Sequence, residues 1–304
     1  MTGFRHTSVL LDESVAALQP VDGGVYVDAT LGGGGHTAAL LAAADCRVIG
    51  IDRDPDALAA AAARVATAGE RFTAVRGSFS ALHRLLDAAG VDKVDGILAD
   101  LGVSSHQLGT AERGFSFQQA GPLDMRMDPD GPTTAADVAN TWDEAALVDI
   151  LSRYGEVRRA RRVARAIVAG RPWSDTLSFA DAVSAALGGR RSRTHPATRT
   201  FQALRIAVND ELQQLRTFLP TALDRLRSGG RLAVITFHSL EDRIVKRFLS
   251  HAAGMGRPRD PWGNPVGPVS VRLLPAVVPP KDDPNPRARS ARLRSAERLP
   301  WNAQ

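Results

Sequence analysis

The chain has 304 residues, enough for a sizeable core and two domains. Its hydrophobic content of 44% and charged content of 23% are typical of a soluble globular protein. No apolar run reaches roughly 20 residues, the length of a membrane span, and the N-terminus lacks the apolar stretch of a secretory signal, so we expect a cytoplasmic protein. The lone Cys46 excludes an internal disulfide and a cysteine-based zinc cluster.

Charge is distributed unevenly along the chain. Residues 1–150 carry 10 Lys and Arg against 21 Asp and Glu, whereas residues 151–304 carry 28 against 12. The two parts have net charges of −11 and +16, which sum to the net +5 of the chain. A basic half joined to an acidic half predicts a polyanionic partner such as nucleic acid. The alternative is that the arginines only cover solvated helix faces.

Four apolar runs at the start of the chain have the length of buried strands, and each is followed by a helical pattern or a turn. They cover residues 25–30, 47–52, 72–75 and 94–100. Strands that are apolar almost throughout, alternating with helices, predict a parallel, doubly wound α/β sheet. A further strand is predicted at 229–237, and residues 269–278 read as a closing strand or hairpin.

The βα alternation stops after residue 100. Residues 101–141 are polar and rich in turn formers, and the following helical patterns end in one long predicted helix over about 197–226. We therefore predict a sheet domain interrupted by a helical one. The first part of the sheet domain covers 1–104, and its second part covers 201–280. The inserted helical domain covers 105–200, and a basic tail covers 281–304. We expect the tail to be mobile or ordered only by a partner.

Glycines 32–35 follow the first predicted strand, which carries Asp28 near its end, and precede a helix that starts near His36. Glycines allow positive φ and let a ligand approach bare N–H groups, as in nucleotide-cofactor loops at the carboxyl end of a strand. The spacing loosely fits a dinucleotide fingerprint. A carboxylate at 28 would repel a pyrophosphate and would suit the cationic amino-acid end of S-adenosylmethionine. The residues alone leave both cofactors open.

Two further carboxylates end predicted strands. Asp52 lies 20 residues after Gly32, the spacing at which a carboxylate reaches ribose hydroxyls. Asp100 ends the fourth strand and could accept a hydrogen bond from a substrate amine, although a turn-forming role is the alternative. Phe79 follows the third strand, where it would lie beside an adenine or simply pack in the core.

Nine blocks of the sequence resemble the bacterial 16S rRNA (cytosine-N4)-methyltransferase family. They are HTSVLLDE (6–13), DATLGGGGH (28–36), IDRDP (51–55), DLGVSS (100–105), ERGFSF (112–117), GPLDMRM (121–127), HPATRTFQ (195–202), FHSLEDRIVK (237–246) and NPRARSARLR (285–294). The resemblance implies a class I methyltransferase (Rossmann-like) fold that uses S-adenosylmethionine, with an inserted helical domain for substrate recognition. It also implies N4-methylation of a cytidine in the decoding centre of 16S rRNA, in the small ribosomal subunit.

The resemblance also implies site residues. With Asp28 from the loop argument, the cofactor-binding set is Asp28, Gly34, Gly35, His36, Asp52, Phe79, Asp100 and Gln107. One departure is His106, where the family has proline before Gln107. Asp100 is the candidate catalytic acceptor for an N4 proton. Candidate substrate contacts are Phe115, Phe117, His195, Arg199, Asn209 and His238. The two phenylalanines could stack on a splayed-out base, or they could instead anchor the insertion to the sheet.

Two other functional classes remain to be weighed at this point. An NAD-dependent oxidoreductase would use the same loop, but Asp28 disfavours it. A non-catalytic RNA-binding assembly protein would use the basic half, but the intact loop with Asp52 and Asp100 disfavours that. His195 and His238 have neither cysteine partners nor the HExxH spacing, so we predict no metal site. The sequence leaves the oligomeric state open, a dimer included.

Overall fold

The computed structural model describes residues 8–189, 195–263, 266–280, 282, 283, 285 and 288–300. His6 and Thr7 of the first sequence block, and residues 281, 284, 286, 287 and 301–304 of the predicted tail, lie outside the described residues. The chain divides into two compact units. The sheet unit comprises Met1–Gly102 and Gln213–Gln304, and the helical unit comprises Val103–Leu212.

Within the described residues, seven strands form one sheet. They are β1 (Val25–Asp28), β2 (Arg47–Asp52), β3 (Phe72–Arg76), β4 (Val94–Asp100), β5 (Leu226–Thr236), β6 (Val271–Leu273) and β7 (Arg292–Arg298). Their order is β3-β2-β1-β4-β5-β7-β6. Strands β1 to β5 are parallel, and β7 runs antiparallel between β5 and β6. The predicted doubly wound parallel sheet is therefore confirmed.

The described residues also form twelve α-helices. They are α1 (Leu11–Leu18), α2 (Gly35–Ala43), α3 (Pro55–Arg64), α4 (Leu82–Ala88), α5 (Ser105–Gly109), α6 (Ala135–Thr141), α7 (Glu144–Arg153), α8 (Ala160–Ala169), α9 (Thr176–Leu187), α10 (Thr198–Asn209), α11 (Glu211–Arg225) and α12 (Ser239–Ala252). None of them has the length and apolarity that a bilayer crossing requires.

Each unit has its own apolar core. In the sheet unit Val27, Ile49, Ile97 and Val234 of neighbouring strands are fully buried, as expected for a parallel sheet covered on both faces. In the helical unit the core comes from the inner faces of α7, α8, α9 and α10. Because both cores are buried, ligands can reach only the polar strand ends and the outer faces of the helices.

The long helix predicted over 197–226 is two helices. Asp210 separates α10 from α11 with φ 49° and ψ 36°, a left-handed conformation that ends a helix. The helical unit accordingly extends to Leu212, beyond the predicted boundary at 200. The hydrophobic periodicity continues through both helices. It therefore does not indicate the break, which depends on the backbone conformation of a single residue.

The predicted tail also differs from the structure, because Arg292–Arg298 is strand β7 inside the sheet. Leu293 and Ala296 are fully buried, while the charged neighbours find partners. Glu297 pairs with Arg231 and Arg272, and Arg294 pairs with Asp242 at 2.7 Å. A strand with several charged residues reads as a solvated tail when these partners are unknown.

Candidate cofactor and active site

The glycine loop requires glycine for two separate reasons. Gly32 and Gly34 have φ of 50° and 72°, which L side chains rarely adopt. A Cβ at Gly34 would also lie 2.9 Å from the Cβ of Ala61 on α3. A Cβ at Gly35 would lie 2.1 Å from Ser8 Oγ. The loop therefore packs closely against its surroundings, and α2 begins at Gly35 with its first N–H groups unpaired by the helix itself.

Asp52 ties this loop to the end of β2. Its carboxylate accepts hydrogen bonds from Gly32 N at 2.8 Å and from Asp54 N at 2.9 Å, and Leu31 N donates to Ile51 O at 2.9 Å. Burial raises the pKa of Asp52, and these backbone N–H groups oppose the rise. Each carboxylate oxygen has a second lone pair, so Asp52 can still accept a hydrogen bond from a ribose hydroxyl.

Asp28 ends β1 and is almost fully buried. Its carboxylate accepts from Thr37 Oγ1 at 2.8 Å and from Thr30 N at 3.4 Å. Burial raises its pKa to about 6, because these hydrogen bonds only partly offset the loss of water. Asp28 is thus a buried carboxylate whose charge an incoming cation would stabilise.

Asp100, at the end of β4, lies beside His36. Asp100 N donates to Thr30 Oγ1 at 2.6 Å, and Asp100 Oδ2 is 4.0 Å from His36 Nδ1. His36 is only 5% exposed, and burial lowers its pKa to about 4. Its Nε2 has no hydrogen-bond partner among the described residues. The imidazole is therefore neutral near pH 7 and keeps one ring nitrogen for a ligand.

Strand order brings these groups to one edge. β2, β1 and β4 are parallel neighbours, so Asp52, Asp28 and Asp100 stand at adjacent carboxyl ends, where doubly wound sheets bind ligands. Two hydroxyls that the sequence analysis did not assign hold this edge together, Thr30 under Asp100 and Thr37 on Asp28. Thr30 stands inside the block DATLGGGGH, which was the signal that could have found it.

Phe79 packs in the core of the sheet unit. Its ring lies edge-to-face on Phe218, with centroids 5.2 Å apart, and it is 8% exposed. The core-packing alternative is therefore observed, and an adenine contact stays a prediction.

His238 caps α12 immediately after β5. Its Nδ1 accepts from Glu241 N at 3.4 Å. The buried Glu241 carboxylate accepts from His238 N at 3.3 Å in return, and also from Phe237 N at 2.8 Å. This reciprocal capping fixes the start of the helix. Because Asp100 is paired in register with Ile235, His238 follows the strand end next to that of Asp100. A substrate contact by His238 stays a prediction.

Gln107 and Asn209 belong to the helical unit. Gln107 Oε1 accepts from Ser104 N at 3.0 Å, which completes a capping box at α5. Asn209 is buried. Its amide accepts from Met127 N and donates to Met125 O, both at 2.8 Å, and it thereby supports Met125, whose φ is positive. These contacts give both side chains structural roles that sequence spacing does not reveal.

The remaining substrate candidates also lie in the helical unit. Phe115 is buried in its core. The ring of Phe117 lies 4.6 Å from that of His195 and 4.7 Å from that of Phe201, centroid to centroid. Arg199 is exposed and donates to Glu156 O at 2.9 Å. The structure therefore groups Phe117 with His195 and buries Phe115 in the core of the helical unit. A substrate contact by any of these residues stays a prediction.

The sheet order and the carboxylate-lined glycine loop define an α/β enzyme of the class that binds a nucleotide-like cofactor. The model of the MraW methylase family matches residues 3–299, and the chain belongs to this family. Ribosomal RNA small subunit methyltransferase H of Rhodospirillum centenum is 52% identical over 303 residues, covering 96% of this chain and 92% of that protein. The protein of the same name from Geobacter sulfurreducens is 52% identical over 309 residues, covering 97% and 99%.

The solved structure of an rRNA methylase from Streptococcus thermophilus is 12% identical, has a TM-score of 0.44, and covers 95% of this chain and 93% of that one. Membership of the family makes the chain a methyltransferase with a class I, Rossmann-like fold and S-adenosylmethionine as its methyl donor. This decides between the two cofactors that the loop left open.

The residues present fit that donor. The bare loop at Gly34 has no room for a side chain, Asp28 is a buried carboxylate for a cationic end, and Asp52 can take a ribose hydroxyl. His36 stays neutral through burial, so it places no positive charge near a sulfonium.

Proposed function

We propose that the protein methylates the exocyclic N4 amine of a cytidine in the decoding centre of 16S rRNA, with the small ribosomal subunit as substrate. The names of the relatives, which specify small-subunit ribosomal RNA, support the substrate class. Three features of the chain support the choice of a base amine, of Asp100 as its partner, and of RNA as the polymer.

The first feature is the cysteine content. Methylation of a pyrimidine ring carbon requires a nucleophile that adds covalently to the ring, for which a cysteine thiol is well suited. Cys46 is the only cysteine in the chain. It is 1% exposed, and its Sγ contacts Leu40 O at 3.5 Å. It also precedes β2, at the sheet edge opposite to Asp52. An exocyclic amine needs no such nucleophile.

The placement of Asp100 is the observation that carries the proposal. The N4 amine of cytosine is a weak nucleophile because its lone pair is delocalised into the ring. A fixed acceptor on N4–H returns electron density as the new bond forms. Thr30 holds the Asp100 backbone, and the neutral His36 beside it adds no positive charge that would compete for the carboxylate.

S-adenosylmethionine, when bound, supplies a methyl group on a positively charged sulfur. The protein's own contribution is positioning, since in-line transfer depends on the alignment of the reacting atoms. The loop at Gly34 and the carboxylates of Asp28 and Asp52 bind and orient the donor. Asp100 orients the amine, because its carboxylate oxygen accepts a hydrogen bond from the N4–H group.

Helix α8 supports RNA as the polymer. Its outer face and the preceding turn carry a row of exposed arginines, namely Arg158, Arg159, Arg161, Arg162 and Arg165. Arg165 is 3.4 Å from a carboxylate oxygen of Glu144, whereas within the described ranges the other four have no ion pair. The inner face, with Val163 and Ile167, is buried. Such a row fits a phosphate backbone.

Transfer of a tritiated methyl group tests the proposal. The enzyme is incubated with small subunits or with naked 16S rRNA, and the RNA is digested to nucleosides and separated. We expect label in N4-methylcytidine. Label in 5-methylcytidine or in a ribose would contradict the proposal, and label in no nucleoside would remove the catalytic function altogether.

Asp100→Asn tests the acceptor role in the same assay. We expect a single-turnover rate at saturating donor that is lower by about 100-fold or more. The matched control is Asp45→Asn, which changes a carboxylate that is 81% exposed. If Asp100→Asn weakens donor binding but leaves the saturated single-turnover rate unchanged, Asp100 is a cofactor ligand and not the acceptor.

A further inference from the structure

Helix α12 has two chemically different faces. Val245, Leu249 and Ala252 face the core of the sheet unit and are buried. The opposite face carries Arg243, Lys246, Arg247 and His251, all exposed. Lys246 and Arg247 lie three and four residues after Arg243, and His251 lies four residues after Arg247. This spacing aligns them along one side of the helix, over about 12 Å at about 1.5 Å per residue. With Ser250 and Met255 they line a single shallow cleft. We call this the α12 stripe.

The carboxylates of α12 do not neutralise this stripe. Glu241 is buried and accepts hydrogen bonds from backbone N–H groups at the start of the helix. Asp242 is held by two arginines of β7, with Arg294 Nε at 2.7 Å and Arg292 Nη1 at 3.5 Å. Within the part of the chain that the structure describes, Lys246 and Arg247 form no ion pair. The solvent face of the helix is therefore left positive.

The stripe begins near the candidate active site. Helix α12 starts directly after β5, whose end lies beside that of β4 because Ile235 is paired with Asp100. His238 caps the helix, and Arg243 lies little more than one turn further on. A polyanion bound along the stripe would thus reach the sheet edge that carries Asp100, within the same compact unit.

We propose that the α12 stripe binds the phosphate backbone of the RNA that is methylated, as a docking surface on the sheet unit itself. The inference rests on the proposed function for the identity of the RNA. The chemistry favours RNA over a membrane. Among the described residues that line the cleft, Met255 is the only large apolar side chain, which is too little for insertion into a bilayer. An acidic protein surface is the competing occupant.

The double variant Lys246→Gln/Arg247→Gln tests the stripe. Binding to naked 16S rRNA and to small subunits is measured by filter retention between 0.05 and 0.4 M KCl, roughly the range in which counterion release dominates. Loss of two phosphate contacts makes the slope of log K against log salt shallower by about 1.4, which weakens binding about 25-fold at 0.1 M salt.

Arg84→Gln/Arg227→Gln is the matched control, since it removes the same charge. Arg84 is exposed, and Arg227 is half-exposed and pairs with Asp95 at 2.9 Å, at the sheet edge opposite to Asp100. We expect its slope to equal that of the wild type. Circular dichroism confirms that both variants fold.

If the salt dependence of binding by the Lys246/Arg247 variant equals that of the wild type, the α12 stripe does not bind RNA. The same conclusion follows if the control variant changes the salt dependence by the same amount. If the variant instead loses only a crosslink to a ribosomal protein, the occupant is protein and the inference is wrong. Failure of the proposed function looks different: the wild type would bind RNA with a normal salt dependence yet place no methyl group on N4 of cytidine.

Discussion

Asp28→Asn should have opposite effects on stability and on cofactor binding. At high pH it should stabilise the fold, because the carboxyl group of Asp28 is buried at the end of β1, and it should weaken binding of the donor. Its pKa is raised by burial from 3.8 to about 6. Between these values the native protein binds a proton that the unfolded chain has lost, so the free energy of unfolding falls as pH rises through this window. Above pH 6 the ionised carboxylate destabilises the fold by up to about 3 kcal/mol, at 1.36 kcal/mol per pKa unit.

Asparagine does not ionise, and so the variant escapes this loss. The carboxylate of Asp28 accepts hydrogen bonds from both Thr37 and Thr30. The single amide oxygen of asparagine replaces these two bonds less well, and this lowers the free energy of unfolding by about 1 kcal/mol. We expect the variant without cofactor to match the wild type near pH 4 and to be more stable by about 2 kcal/mol at pH 8. Binding of S-adenosylmethionine should weaken about 10- to 100-fold, the loss of a charged hydrogen bond.

Urea unfolding followed by circular dichroism at pH 4.5, 6 and 8, with calorimetry for the cofactor, measures both effects. His36 has the opposite pH dependence, since burial lowers its pKa from 6.5 to about 4 and its contribution to stability is lost as pH falls through that range. It is present in both proteins and cancels in their difference. Asp45→Asn, which changes a carboxylate that is 81% exposed, is the control. A difference between Asp28→Asn and the wild type that is constant with pH, or a variant less stable at pH 8, would refute the reasoning.

Three further predictions concern the loop, the helical unit and the last strand. Gly34→Ala should abolish measurable donor binding by calorimetry, because its Cβ would lie 2.9 Å from the Cβ of Ala61. Gly69→Ala is its control, since Gly69 also has positive φ but a Cβ there would meet nothing within 4 Å. It should bind the donor normally and lose about 1–3 kcal/mol of stability. Arg161→Gln/Arg162→Gln should make the salt dependence of rRNA binding shallower by about 1.4, and an unchanged slope would remove α8 from the RNA surface. Leu293→Ala should lower the free energy of unfolding by about 2–5 kcal/mol in urea titrations. No change would mean that this segment does not pack in the sheet and is the solvated tail that the sequence predicted.

Local sequence patterns were enough to locate strands β1 to β5, the glycine loop and the three acidic strand ends. Each depends on local chemistry: apolar runs with turn residues mark strands, and a glycine cluster after a strand marks a loop open to a ligand. Asp28, Asp52 and Asp100 could be placed at one edge because carboxyl ends of parallel strands always share an edge. The blocks around them were long enough to indicate the family, which its sequence model then confirmed.

The burial of the polar residues and their contacts depend on the packing of distant segments of the chain. Strand β7 is stable because distant Asp242 and Arg231 neutralise its charges, and a single left-handed residue at Asp210 divides α10 from α11. Asn209 turned out to hold backbone atoms of a segment more than 80 residues away, and the neutrality of His36 comes from burial. These effects arise between residues far apart in the chain, so no local pattern of residue types carries them.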